Sequence, residues 1–309
     1  MNKKIVFMGT SDFAVPILKS LYQNGFPVSV VYTQPPKKSN RGQKINKSPI
    51  HIFSETLSYE VRVPLTLKNN FEEKEFLEKL NADLVVVVAY GHIIPKDLLS
   101  LSKNGFINIH ASQLPKWRGA APIQRSLMNQ DNETGVSIMK INENLDEGPV
   151  YDIFSTKIKD NENAQDLSNR LANIASKEIL DCLEDIFDNR AVFKEQDHKK
   201  ATYANKIDKS EGKIFWEESA KEILGKINGL YPSPGAWFIF KNERYKILKA
   251  EFSSAKGKPG LILNNNLEIA CNDFSIKILK IQREGRKIQN INQFILGSEI
   301  KKGTDLNNA

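Results

Sequence analysis

The chain has 309 residues, 40% of them hydrophobic, and a net charge of +7. No apolar run comes near the roughly 18 residues that a membrane-crossing helix needs, so a helical membrane protein is excluded and the length suits two domains with a core each. Cys182 and Cys271 are the only cysteines and neither has Cys or His at ligand spacing, so both read as core thiols, with neither a disulfide framework nor a metal site expected.

Met1-Asn-Lys-Lys4 is a basic start, but the apolar run behind it stops at Gly9, too short for the centre of a secretion signal, and a cytoplasmic location is expected. Ile5–Met8, the turn Gly9-Thr-Ser-Asp12 and the periodic Phe13–Leu18 read as strand, turn and helix, with Pro16 in the first helical turn where a missing N–H costs little. The turn lacks Gly-x-Gly-x-x-Gly, so a dinucleotide site is not expected, although a helix start there can hold an anion. After a second strand at Val28–Thr33 comes Gln34–Pro49, with Lys37, Lys38, Arg41, Lys44 and Lys47 and no acid. It is too polar and too rich in Pro, Gly and Ser for a regular element and reads as an exposed basic loop.

Helical spacing at Glu72–Leu80 and Pro122–Met128 alternates with strands at Leu84–Ala89, Phe106–His110 and Gly135–Ile141. That alternation predicts a Rossmann-like, mainly parallel sheet with right-handed crossovers. Sites in such sheets lie beyond the carboxyl ends of the strands, where Gly9, Tyr90, His110 and the loop to Asp146 fall. Asn108 and His110 stand two apart on one strand and so face the same way. An amide can donate to a developing oxyanion and an imidazole can accept a proton near neutral pH, which suits acyl-type transfer; both could equally satisfy backbone groups at a strand end. Asp146, in Asn142-Glu-Asn-Leu-Asp-Glu-Gly148, could orient His110 or simply form a turn. Glu143 and Glu147 read as solvated, and His51 and His198 as surface residues.

Apolar spacing over Ala164–Phe187 predicts a long amphipathic helix, and the polar, aperiodic 190–205 a linker. Beyond it, a helix near Ser219–Leu230 precedes short strands at Ala236–Phe240, Arg244–Phe252, Leu261–Leu263, Leu267–Cys271 and Phe274–Ile281, a pattern that suggests a small β-barrel. Residues 1–204 carry a net +1 and residues 205–309 a net +6. With the basic loop, this makes two cationic regions, which suit a phosphate backbone but also an ordinary solvated face.

Ser112-Gln-Leu-Pro115 followed by Lys116-Trp-Arg-Gly-Ala-Ala-Pro-Ile-Gln-Arg125 resembles the signature of the methionyl-tRNA formyltransferases, and Asn108, His110 and Asp146 match the catalytic trio of the wider 10-formyltetrahydrofolate-dependent formyltransferase family. Gln113 departs from the usual Ser-Leu-Leu-Pro turn. The resemblance implies a catalytic domain over 1–189 with 34–49 as an inserted basic loop, a linker over 190–205, and an OB-like tRNA-binding domain over 206–309. It implies 10-formyltetrahydrofolate as co-substrate, near Ser112, Gln113, Leu114, Pro115, Tyr90 and His92. Methionyl-initiator tRNA would be the partner, held by Lys37, Lys38, Arg41 and Lys44 of the loop and Lys277, Lys280, Arg286 and Lys287 of the second domain. Trp117 and Arg118, directly after the turn, could contact its acceptor end, or Trp117 could equally pack under the site. A monomer that needs neither metal nor membrane is implied. Two other readings remain open at this point: a formyltransferase for a small amine, such as glycinamide ribonucleotide or an amino-sugar nucleotide, and an RNA-binding module on a degenerate formyltransferase scaffold.

Overall fold

A computed structural model of the chain describes residues 3–39 and 44–308. Its elements up to residue 119 are β1 (Ile5–Gly9), α1 (Val15–Gln23), β2 (Val28–Tyr32), β3 (Lys37–Ser39), β4 (Lys44–Asn46), α2 (Pro49–Thr56), β5 (Val61–Arg62), α3 (Phe71–Leu80), β6 (Leu84–Val88), α4 (Lys96–Leu99), β7 (Phe106–His110) and β8 (Arg118–Gly119). Then follow α5 (Pro122–Met128), β9 (Glu133–Lys140), β10 (Val150–Lys157), α6 (Ala164–Phe187) and β11 (Tyr203–Ala204). The remainder is α7 (Ala220–Gly229), β12 (Ala236–Phe240), β13 (Glu243–Ser253), β14 (Glu268–Ala270), β15 (Ser275–Arg283), β16 (Gln289–Asn290) and α8 (Ile291–Gly297).

Seven strands form one sheet in the order β10-β9-β7-β6-β1-β2-β5, parallel from β7 to β5, with β9 antiparallel to β7. β1 and β6 are buried at every position, which is why their sequences are continuous apolar runs rather than alternating ones. β10, at the sheet edge, is largely exposed, does not alternate polar and apolar residues, and carries no strand signal in the sequence. At the carboxyl end of β1, a Cβ on Gly9 would lie 2.8 Å from Phe7 Cε1 and 3.2 Å from the Val88 carbonyl, so the turn into the first helix closes only around glycine. α6 buries Leu167, Leu171, Ala175, Ile179 and Leu183, the positions its periodicity marked.

The chain clusters into two compact units, one of residues 1–119, 135–156 and 168–203, the other of 120–134, 157–167 and 204–309. In the second, β12-β13-β15-β14 is an antiparallel sheet to which β16 adds through β15. Its core includes Trp216, Phe238, Tyr245 and Phe294, with Phe238 and Tyr245 stacked at 5.5 Å. Leu261–Leu263, expected as a strand, makes isolated bridges only, Leu261 with Asp305 and Ile262 with Ile269. α7 begins on a reciprocal cap between Ser219 and Glu222.

Two further departures from the sequence reading have local causes. Within 34–49, β3 and β4 form an antiparallel ribbon, Lys37 opposite Asn46 and Ser39 opposite Lys44, so the segment is not wholly irregular. Polar composition conceals a ribbon whose strands, three residues long, are too short to show an apolar alternation. His51, expected at the surface, has its Nδ1 buried, and its Nε2 lies 3.5 Å from Glu55.

β2, β5 and α3 are tied by a polar cluster inside the apolar core. Glu73, 6% exposed, accepts from Tyr32 Oη (2.7 Å) and from Arg62 Nε and Nη2 (2.7 and 3.0 Å), and Arg62 stacks 4.0 Å above the Phe76 ring. Burial and the adjacent carboxylate push the Tyr32 phenol far above its ordinary pKa, so it stays a donor. Removing Glu73 strands the Tyr32 hydroxyl and leaves Arg62 only its longer contacts to Glu60 and Glu72, at 3.3 Å each. Glu73→Ala is therefore expected to cost about 2 to 3 kcal/mol, read as a lower urea midpoint at unchanged slope; a loss under about 1 kcal/mol would contradict the cluster's role.

Candidate active site

β7 delivers Asn108 and His110 to one face, and its pairing with β9 sets Asn108 opposite Met139 and His110 opposite Ser137. Asn108 is half-buried and its amide has no hydrogen-bond partner among the described residues, leaving both N–H groups to donate. His110 is buried, its Nε2 2.8 Å from the carbonyl of Trp117 and its Nδ1 3.6 Å from Asp146 Oδ2. A carbonyl only accepts, so Nε2 carries a hydrogen and the open ring nitrogen of the neutral imidazole is Nδ1, facing the carboxylate. At 3.6 Å that contact is too long for a hydrogen bond, but a proton arriving at Nδ1 gains the full attraction of Asp146.

Trp117 turns its carbonyl to His110 by taking a left-handed backbone (φ 62°), fixed by its N–H on Thr202 Oγ1 at 2.9 Å. Asp146 is also left-handed (φ 51°), a conformation Asp tolerates better than most side chains, and its Oδ2 accepts the Gly119 N–H at 2.8 Å. Gly148 closes the same loop. A Cβ there would fall 1.9 Å from the Lys140 carbonyl, so no other residue fits without moving backbone.

The turn Ser112–Pro115 is held from β9. Ser137 Oγ donates to the Ser112 carbonyl (2.6 Å) and accepts the Leu114 N–H (3.0 Å), while Leu114 packs on Met139 and Val150. The buried Ser112 hydroxyl donates to the Lys116 carbonyl, and Gln113 Nε2 reaches Ser155 Oγ at 2.8 Å. The side chains of Ser112 and Leu114 are thus turned away from any ligand, which leaves the turn's backbone and Gln113. Tyr90 is similar: its ring lies in the core, its hydroxyl is buried without a partner, and its carbonyl accepts Thr10 Oγ1 at 2.7 Å. His92 packs on the Tyr90 ring at 5.2 Å and remains half-exposed.

Arg118 and Glu147 correct the sequence reading. Arg118 is 1% exposed, pairs with Glu147 at 3.0 Å and donates from Nε and Nη2 to Gln196 Oε1 (3.1 and 2.8 Å), so it holds the fold rather than an acceptor end. Glu147 is its counter-ion, not a solvated acid. Glu143 is exposed and pairs with Lys96 at 2.6 Å. Gln196, buried within the stretch read as a linker, gave no sequence signal; Ser137 gave a faint one, as a hydroxyl in a strand buried at all but its two end residues.

Of the basic residues, Lys37 is exposed and reaches Gln34 Oε1, whose amide donates to the Gly91 carbonyl at 2.8 Å, next to His92. Lys38 and Lys44 stand in β3 and β4, but their side chains, and Arg41 entirely, lie outside the described residues. In the second unit Lys277, Lys280, Arg286 and Lys287 are all exposed. Arg286 and Lys287 line a cavity of about 540 Å³ with Arg283, Lys241, Glu243 and Glu299, in which Arg283 pairs with Glu243 (2.5 Å) and Lys241 with Glu299 (2.7 Å). No cluster of His, Cys, Asp and Glu able to hold a metal occurs among the described residues.

Residues 3–183 match the formyl transferase family and residues 206–299 the formyl transferase C-terminal domain. A methionyl-tRNA formyltransferase of Pelagibacter ubique is 62% identical over the whole of both chains, and one from Jannaschia is 42% identical over 98% of this chain and 99% of its own. Among solved structures, the sugar 3N-formyl transferase WlaRD, crystallised with dTDP and 5-N-formyl-THF, matches 93% of this chain and all of its own at TM-score 0.68 and 21% identity. HypX from Aquifex aeolicus, in complex with tetrahydrofolic acid, matches 98% of this chain and 49% of its own at TM-score 0.64 and 16% identity.

Burial, then the charge of Lys37, holds the His92 pKa below its ordinary 6.5. Because the folded protein resists this protonation more than the unfolded chain does, His92 takes nothing from stability above that pH and lowers it as pH falls through 6.5 towards the folded value. Lys37→Ala is expected to raise the His92 pKa, leaving it still below 6.5 because burial remains; imidazole NMR titration reads the shift, and an unchanged or lowered value would refute it.

Proposed function

The chain belongs to the formyl transferase family, on its methionyl-tRNA formyltransferase branch, and we propose that it transfers a formyl group from 10-formyltetrahydrofolate to the α-amine of methionyl-initiator tRNA, giving formylmethionyl-tRNA for translation initiation. The observation that carries this is 62% identity across the full chain with Asn108, His110 and Asp146 gathered at one strand end. The place of work is the cytoplasm, where initiation occurs; no helix among the described residues is long and apolar enough to cross a membrane.

An α-amine has a reference pKa near 7.7, so a useful neutral fraction attacks the formyl carbon directly at about pH 7. A new N–C bond forms, the C–N bond to the folate breaks, and one proton passes from the amine to the departing folate nitrogen. The Asn108 amide, with no partner among the described residues, donates to the oxygen that becomes negative in the tetrahedral intermediate. His110 takes the amine proton at Nδ1, directly or through water, because Nε2 is committed to Trp117; Asp146 stabilises the resulting imidazolium. No serine or cysteine nucleophile is required.

His110→Ala and Asp146→Ala are each expected to lower kcat by at least about 100-fold with melting temperature preserved. The wild type, offered charged initiator tRNA, glycinamide ribonucleotide and an amino-sugar nucleotide in parallel with 10-formyltetrahydrofolate, is expected to formylate only the tRNA; turnover of a small amine alone would overturn the reading. Replacing Lys37, Lys38, Arg41 and Lys44 together by Ala should raise the KM for tRNA at unchanged kcat. It should also flatten the plot of log affinity against log salt by roughly 0.7 to 0.9 per lost phosphate contact. An unchanged slope would remove the loop from tRNA binding.

A further inference from the structure

We propose that Gln196 is a positioning residue for formyl transfer, one that fixes the backbone of Asp146 so that its carboxylate stays at His110; this rests on the catalytic reading above. Asp146 follows the exposed loop residues Glu143, Asn144 and Leu145, where the contacts seen are an exposed Glu143–Lys96 ion pair and an Asn144 N–H bond to the Asn142 side chain, neither of which touches Asp146. The restraint comes from the other side. Gln196, 8% exposed, donates from Nε2 to the carbonyls of Asp146 (2.9 Å) and Gly148 (2.8 Å). Its Oε1 accepts both Arg118 Nε and Nη2, and Arg118 in turn pairs with the intervening Glu147.

One amide thus spans the two segments that make the site. On one side is Arg118, whose neighbour Gly119 donates its N–H to the Asp146 carboxylate; on the other are residues 146 to 148. Only an amide fits this position. The upper partner is a cation that needs an acceptor, and the lower partners are two carbonyls that need donors, so a carboxylate or an ammonium at 196 satisfies one side and repels the other. The Asp146 backbone is left-handed and stores strain that it would relax if released. A shift of about 1 Å at the carboxylate slows the chemistry without weakening substrate binding.

The test compares Gln196→Glu, Gln196→Leu and wild type, with melting temperatures recorded. Both variants are expected to lose about 10-fold to 100-fold in kcat, while KM for either substrate changes less than about two-fold. In an Asp146→Asn background Gln196→Leu should lower kcat by less than about two-fold, because a residue that acts only through Asp146 has nothing left to act on. Independently of activity, the Gly119 amide should exchange its hydrogen about 10-fold faster in both variants, since its acceptor is no longer held. Unchanged kcat and Gly119 exchange, an effect confined to KM, or an undiminished loss on top of Asp146→Asn would each overturn the proposal. If the wild type forms no formylmethionyl-tRNA, the catalytic reading fails instead, and Gln196 is judged by Gly119 exchange and by turnover of whichever amine is formylated.

Discussion

A carboxylate at the end of an exposed loop has to meet an imidazole buried in a strand end, and most of the site is arranged around that requirement. Asp146 takes a left-handed backbone, which costs a non-glycine residue on the order of 1 to 3 kcal/mol. The Gly119 N–H on its carboxylate and the Gln196 amide on its carbonyl offset that cost. Each such bond to a charged or buried group contributes roughly 1 to 3 kcal/mol, enough to hold the conformation. The pairing of Arg118 with Glu147 follows from the same demand. A guanidinium brought this deep to meet Gln196 needs a full counter-charge, and the residue after Asp146 supplies it.

The rest of the fold decides where this happens. Parallel strands β7 to β5 end together, and β9 returns antiparallel beside β7, which places the hydroxyl of Ser137 under the turn that begins at Ser112. That hydroxyl satisfies both a carbonyl and an N–H of the turn, so these two buried backbone groups are paired inside the fold. Asn108 escapes such commitments. Its amide has no partner among the described residues, whereas His110, Ser112 and Ser137 beside it are already bonded to protein.

What the sequence made legible was what depends on local periodicity or on a contiguous motif. The buried strands β1 and β6, helix α6, and Asn108 and His110 on one face follow from spacing alone, and Asp146 from a motif. Arg118 misled because its motif neighbours suggested exposure, while its true environment is built by Glu147 and Gln196, 29 and 78 residues further on. Gln196 lay in a polar, aperiodic stretch, and a single side chain that makes four hydrogen bonds leaves no periodic trace. Tyr90 stood at the right strand end, yet whether a tyrosine there points outward or into the core depends on the strand's register, which its neighbours do not fix. The β3–β4 ribbon is too short, and the edge strand β10 too exposed, to impose an apolar pattern.

Charge divides the labour between chemistry and recognition. The site holds the Asp146 carboxylate facing a neutral imidazole and, one residue on, a carboxylate cancelled by a guanidinium, so it carries no excess of cations. The excess cations lie elsewhere, at 34–49 and in the last third of the chain, where Lys37, Lys277, Lys280, Arg286 and Lys287 are exposed. Exposed lysines gain little from protein partners because water and salt screen them, but along a phosphate backbone each releases a bound counter-ion, and the gains accumulate. A small amine with one or two phosphates would leave most of these residues unused. On the proposed reading, the charge distribution therefore carries information about substrate size that Asn108, His110 and Asp146 do not contain.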